Sequence, residues 1–201
     1  MSDWKAKGAA KKQAIRDSIP KEWIIDGISP ETVPRAMDFP FEKHLSQGEM
    51  EITGLGVTEL LRRLAKGQYK AVDVARAFAH RAAIAHQLVN CCLEFFWDHA
   101  EKQAQELDAY YAKHGKVVGP LHGLPISLKG ISKQNFADID QFRVKGIETS
   151  MGYIGWLGHI ETVDSVFTSI LRKLGAVFYG PTTLFLTDSS QNHCSAKSDV
   201  R

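Results

Sequence analysis

The residue best placed for chemistry in this chain is Lys129, which ends the run Pro125-Ile-Ser-Leu-Lys129. The run is short and apolar, so it predicts a strand with the lysine at its end. Burial disfavours the charged form of an amine, which lowers its pKa and lets the amine act as a base. The alternative is that Lys129 marks the solvated end of a strand, as most such lysines do.

The three cysteines, Cys91, Cys92 and Cys194, are the other residues with distinctive chemistry. Adjacent cysteines rarely bond to each other, and an odd number leaves one unpaired. This usage is typical of a reducing compartment and of buried, inert thiols, so we expect a cytoplasmic location. The pair His193-Cys194 has no second pair at metal-ligand spacing. We therefore expect no metal and no other cofactor.

The charge balance bears on the class of partner. The 201 residues include 25 Lys and Arg against 23 Asp and Glu, a net charge of +2. Such a balance gives no reason to expect nucleic acid or an anionic membrane surface as a partner. The sequence also contains no apolar run of membrane-spanning length and no secretory signal at its N-terminus. We expect no nucleic-acid partner and no membrane partner.

Segments with helical periodicity alternate with short apolar runs. Helices are predicted over Asp3 to Ser18, Val57 to Lys66, Ala71 to Ala85, Trp97 to near Gly115, and along the stripe Val163, Phe167, Ile170, Leu171 and Leu174. Strands are predicted over Cys92 to Phe96, Pro125 to Leu128 and Ala176 to Tyr179. This alternation indicates an α/β layered fold.

Two motifs resemble those of a known family. The run Gly119-Pro-Leu-His-Gly-Leu-Pro-Ile-Ser-Leu-Lys129 resembles the catalytic-lysine motif of the amidase signature family. The run from Phe142 to Gly158 is similar to its continuation in fungal acetamidase-like members, and the resemblance goes on through Val163 to Tyr179. It implies the incomplete N-terminal part of an α/β/α layered fold, in which a mixed sheet lies between helical layers.

The resemblance also implies a reaction. Family members hydrolyse small carboxylic amides with two serines and a lysine, and Lys129 would be the neutral base of that triad. Only the lysine can be carried over. The family serines lie in glycine-rich segments that this sequence lacks, whereas Ser189 and Ser190 have no neighbouring glycine to form an anion-binding nest. We assign neither serine as the nucleophile.

The sequence departs from the family pattern in two places. Residues Gly130 to Gln141 separate the lysine from its usual continuation, and the pattern after Tyr179 gives way to Gly180-Pro-Thr-Thr183. One explanation is that the insertion is translated intron and that the reading frame is lost after Tyr179. The other is a lineage-specific loop followed by a divergent tail. The expected division is a helical and irregular arm over residues 1–50, a truncated amidase-like domain over 51–179 with an atypical insertion at 130–141, and a polar tail over 180–201.

Three functional readings remain open. The first is an amidase by descent that is truncated before both serines and therefore inactive. The second is a non-catalytic module that binds a full-length relative through an exposed sheet edge. The third is an unrelated small α/β domain with a chance motif. A truncated sheet would expose hydrophobic surface, so we also expect self-association or aggregation.

Overall fold

In a computed structural model of the chain, the structure describes residues 4–29, 32–33, 35–129, 143–148 and 154–182. Within these residues the α-helices are α1 (Trp4–Asp17), α2 (Gln47–Gly54), α3 (Val57–Ala65), α4 (Ala71–Val89), α5 (Trp97–His114) and α6 (Val166–Lys173). The strands are β1 (Pro125–Lys129) and β2 (Val177–Thr182). Single turns of 3-10 helix occur at Lys21–Trp23, Ala36–Asp38, Phe41–Lys43 and Ile154–Trp156.

Helices α4 and α5 form the centre of the main core. Four alanines at four-residue intervals make one face of α4, and none of them is accessible to solvent: Ala71, Ala75, Ala79 and Ala83. This face packs in one cluster with Ala100, Ala104 and Leu107 of α5. Alanine side chains let two helices approach closely, because little volume separates the backbones. The prediction of a tightly packed helix beginning at Ala71 is confirmed.

The N-terminal region joins this core. Ile15, Ile19 and Trp23 are buried in the same cluster as α4 and α5. Gln87 of α4 fixes the chain there, because its side-chain nitrogen donates to the Trp23 carbonyl at 2.9 Å and its oxygen accepts from the Ile25 amide at 2.9 Å. The predicted first helix is confirmed as α1. The division of the chain at residue 50 stays a prediction.

The two strands form a small parallel sheet between helical layers. The register pairs Pro125 with Val177 and Lys129 with Thr182, with an irregularity between Ile126 and Ser127. Val177 packs in the cluster with α4 and α5. Phe178 packs in a different cluster, whose members include Leu128, Val144 and, partly buried, Leu171 of α6. Helical segments therefore cover both faces of the sheet, and the predicted α/β/α layering is confirmed.

The predicted strand over Cys92 to Phe96 is wrong. Cys92 forms only an isolated bridge, and the residues up to Phe96 are irregular. The backbone amides of this segment bond to different partners: that of Cys92 to a ring nitrogen of His86, and that of Phe96 to the Tyr179 carbonyl. Its apolar content reflects burial of Phe95 in the core rather than pairing in a sheet.

The apolar stripe of the last predicted helix, from Val163 to Leu174, lies mostly in α6 (Val166–Lys173) and is largely exposed. Phe167 and Ile170 keep nearly half of their surface accessible, and Val166 keeps 68 %. The helix buries its polar side instead, where Ser165 and Thr168 share a 2.9 Å hydrogen bond between hydroxyls. An apolar helix face left open to water agrees with the expectation that this chain exposes hydrophobic surface.

Candidate active site at the end of the first strand

Lys129 is the last residue of β1, where its backbone pairs with Thr182 at the end of β2. The predicted strand is confirmed. Parallel strands present their carboxyl ends at one edge of the sheet. In open α/β sheets that edge is where ligands bind. Lys129 therefore occupies a position in the fold that favours a functional role.

The turn before β1 is fixed against the turn before β2 by backbone contacts. The Leu121 amide donates to the Leu174 carbonyl at 2.9 Å, and the Gly123 amide donates to the Gly175 carbonyl at 2.8 Å. A side chain on Gly175 would meet the Cα of His122 at 2.8 Å, and one on Gly119 would meet the Leu174 carbonyl oxygen at 2.7 Å. Glycine is needed at these points because the two backbones touch. The contacts set the register that places Lys129.

His122 lies inside the motif but has a structural environment. Its side chain is 4 % exposed, and its Nδ1 accepts the Val118 amide hydrogen at 3.2 Å. Burial lowers the pKa of His122, so the ring is neutral at physiological pH. A neutral imidazole that bonds to its own turn holds the turn in shape and leaves β1 correctly directed.

Among the strand residues whose side chains the structure describes, Ser127 of β1 and Tyr179 of β2 are polar. The Ser127 hydroxyl donates to the Gly180 carbonyl at 2.8 Å. Burial, with a smaller contribution from Cys92 and Cys91, raises the pKa of Tyr179 to about 12. The phenol is therefore protonated at neutral pH, and the serine is occupied in a bond between strands. In this geometry both groups hold β1 to β2.

Gln103 of α5 completes the support of β2, and the sequence reasoning missed it. Its Nε2 donates to the Ala176 carbonyl at 2.6 Å, and its Oε1 accepts from the Phe178 amide at 3.3 Å. One amide side chain thus takes the place of a neighbouring strand on the outer edge of β2. The signal that could have found it is a polar residue on the apolar stripe of α5, between Ala100 and Leu107.

Several predicted features lie outside the described residues. They are the insertion Gly130 to Gln141, the serines Ser189 and Ser190, the pair His193-Cys194, and the tail beyond Thr182. Among the helices that the structure does describe, none has both the length and the apolar character needed to cross a bilayer.

The sequence was compared with models of known protein families. The model described as Amidase matches residues 73–198, which is more than half of the chain. The chain belongs to the amidase family. The match includes Lys129, the two motifs around it and most of the segment from residue 180 onward.

Curated relatives agree with this assignment. An acetamidase of Emericella nidulans is 47 % identical over 194 residues, covering 94 % of this chain and 33 % of the relative. An acetamidase of Aspergillus oryzae is 45 % identical over 205 residues, covering 100 % of this chain and 35 % of the relative. The chain therefore spans about a third of the length of these relatives.

Solved structures give the same result for the fold. A fatty acid amide hydrolase superposes with a TM-score of 0.75 at 41 % identity, over 90 % of this chain and 31 % of the other. The predicted membership of the amidase signature family, with only part of the fold present in this chain, is confirmed.

Proposed function

We propose that this chain carries the proton-accepting lysine, Lys129, of an amidase that hydrolyses small carboxylic amides. The observation that carries the proposal is the identity of 45–47 % with two acetamidases across at least 94 % of the chain. Further support comes from the position of Lys129 at the carboxyl end of a strand whose register is fixed by close backbone contacts.

The proposed chemistry is the one that the family resemblance implies. The neutral amine of Lys129 accepts a proton, relayed through one serine, from the hydroxyl of a second serine. That oxygen attacks the amide carbonyl carbon, the C–N bond breaks, and the amine leaves with a proton. Water then cleaves the acyl ester and returns the serine. Burial of the Lys129 amine would suit this role, because burial favours the uncharged form of an amine.

We further propose that this chain does not hydrolyse amides by itself. The support is that it offers no serine in a glycine-rich segment, while Ser127 already donates to the Gly180 carbonyl. The test is ammonia release from acetamide by the purified chain, with Lys129→Ala and the exposed control Lys173→Ala. No release is expected. If the parent chain and Lys173→Ala released ammonia but Lys129→Ala did not, the chain would be active and the role of Lys129 would stand. If Lys129→Ala also released ammonia, the role of Lys129 would be refuted.

The second candidate function is a non-catalytic module that binds a full-length relative. The observation that favours it is the asymmetry of the sheet. Gln103 covers the outer edge of β2, whereas within the described ranges β1 pairs only with β2. An uncovered strand edge is a template for pairing with another chain. Co-purification with a full-length acetamidase tests it: a stable complex is expected, and two separate species on size exclusion would refute it.

We propose a cytoplasmic location for this protein. The support is its odd number of cysteines, and microscopy of a tagged chain would test it.

The division of the chain into domains is a further proposal. We also propose boundaries near residues 50 and 179, which limited proteolysis would test. Sequencing of the transcript across residues 130–141 and 180–201 distinguishes translated intron and frame loss from a lineage-specific loop and tail.

A further inference from the structure

A cluster of metal-binding side chains lies away from Lys129, at the end of α4. His86 is in the last turn of the helix, and Asn90 ends it in a left-handed conformation with a φ of 50°. This turn brings Cys91 and Cys92 back over His86. The two sulfur atoms and a His86 ring nitrogen all lie within 4.8 Å of one another. From the sequence alone, both thiols are expected to be buried and inert.

The spacing of the sulfur atoms fits two ligands of one metal ion. The Sγ atoms of Cys91 and Cys92 are 3.9 Å apart. Two sulfurs at ~2.3 Å from one ion, with a tetrahedral to trigonal angle between them, are separated by ~3.8–4.0 Å. A disulfide would need a separation of ~2.05 Å. The cluster therefore has the dimensions of a chelating thiol pair in its reduced form.

His86 supplies a third donor, whose lone pair is held by a backbone amide in this structure. Its Nδ1 accepts the Cys92 amide hydrogen at 3.1 Å, so this nitrogen is unprotonated and directed toward the Cys91–Cys92 peptide. An ion in the cluster would take this lone pair in place of the amide hydrogen.

The donor set selects the type of ion. Two thiols and one imidazole are soft ligands, which favour Cu(I) and zinc over hard cations. Among the residues the structure describes, the group consists of these three ligands, with Cys92 buried and Cys91 partly buried. Structural zinc sites take four ligands. A group of three ligands, two of which are soft thiols, therefore fits Cu(I) better than Zn(II).

We propose that His86, Cys91 and Cys92 form a three-coordinate binding site for a thiophilic monovalent cation, with Cu(I) as its representative. Binding forms two Cu–S bonds and one Cu–N bond. The protons of the thiols leave to solvent, and no redox step is involved. The site is separate from the proposed catalytic lysine in sequence and in chemistry, so either proposal can fail without the other.

The test is anaerobic titration of the full-length chain with Cu(I) in competition with a chromophoric Cu(I) chelator. His86→Asn is the informative variant, because its side-chain oxygen can still accept the Cys92 amide while the metal-binding nitrogen is lost. Cys91→Ala removes one sulfur. The controls are the exposed His114→Asn and Cys194→Ala, the latter outside the described residues. Circular dichroism verifies that each variant is folded.

One Cu(I) per chain is expected, with X-ray absorption showing two sulfur ligands and one nitrogen ligand. His86→Asn and Cys91→Ala should each weaken binding at least about tenfold, while both control variants bind as the parent chain does. The proposal is overturned if the parent chain retains no copper, if affinity is unchanged in folded His86→Asn, or if Cys194→Ala abolishes binding.

Discussion

The hydrogen bonds of Gln103 to β2 offer the sharpest test of how the sheet is stabilised. Gln103→Met removes both bonds but keeps a side chain of similar length. It leaves the Ala176 carbonyl and the Phe178 amide without their partner in a region where both residues have no accessible surface. The exposed Gln105→Met on the same helix is the matched control.

The expected cost can be estimated from these two groups. A buried polar group that loses its partner costs ~1–3 kcal/mol. The bond to Ala176 is short, at 2.6 Å, and the bond from Phe178 is long, at 3.3 Å, so the second contributes less. We expect a loss of about 3 kcal/mol in the free energy of unfolding. For a chain of this size, that loss lowers Tm by roughly 6–12 °C.

Urea denaturation followed by circular dichroism measures the difference directly. Gln103→Met should unfold at a lower urea midpoint, while Gln105→Met should remain within about 0.5 kcal/mol of the parent chain. The variant should also aggregate more readily, because the Ala176 carbonyl and the Phe178 amide on the outer edge of β2 are then unpaired. If the two variants were equally stable, the idea that an amide side chain replaces a strand on this edge would be refuted.

Three further changes are informative. Gly175→Ala should lower the free energy of unfolding by about 2–3 kcal/mol more than Gly146→Ala does, as measured by denaturation. Both glycines have a positive φ, but only a side chain at Gly175 would meet backbone atoms. Equal losses of stability would contradict this. Lys11→Met should lower the free energy of unfolding by about 2 kcal/mol, because Lys11 bridges the carboxylates of Glu94 and Glu148, which the variant leaves without a cation. The exposed control Lys12→Met should leave stability unchanged. Burial raises the pKa of Asp164, but the hydrogen bonds from the Arg172 guanidinium and the Lys145 amide outweigh it, so the net pKa lies below that of an ordinary aspartate. Its stabilisation is therefore present above about pH 4 and lost in acid, so the stability deficit of Asp164→Asn, about 2 kcal/mol at neutral pH, should shrink as the pH falls.

Much of the layered fold could be predicted from periodicity. The apolar stripe of α5 predicted that helix within one residue, and the alanines of α4 predicted its start at Ala71, although the helix continues past Ala85 to Val89. The apolar runs before Lys129 and Tyr179 predicted the two strands, the second of which continues to Thr182. These segments succeed because local propensity and burial favour the same conformation. The strand prediction for Cys92 to Phe96 was wrong because the apolar residues of this segment are buried in the core without pairing in a sheet.

The features that sequence reasoning missed all depend on contacts distant in sequence or on turn geometry. Gln103 bonds to groups more than 70 positions away, so its role follows only from the packing of α5 on the sheet. The cluster of His86 with Cys91 and Cys92 depends on the left-handed turn at Asn90. The exposure of the apolar stripe on α6 could not be predicted either, because periodicity identifies an apolar face but does not say what covers it.

The most direct test of the central claim replaces the corresponding third of the Aspergillus oryzae acetamidase with this chain and measures acetamide hydrolysis. We predict that the chimaera releases ammonia and that Lys129→Ala lowers its turnover at least about 10²-fold, as expected for loss of a general base, while Lys173→Ala leaves it unchanged. Turnover that is the same with and without the Lys129 amine would contradict the role proposed for this residue.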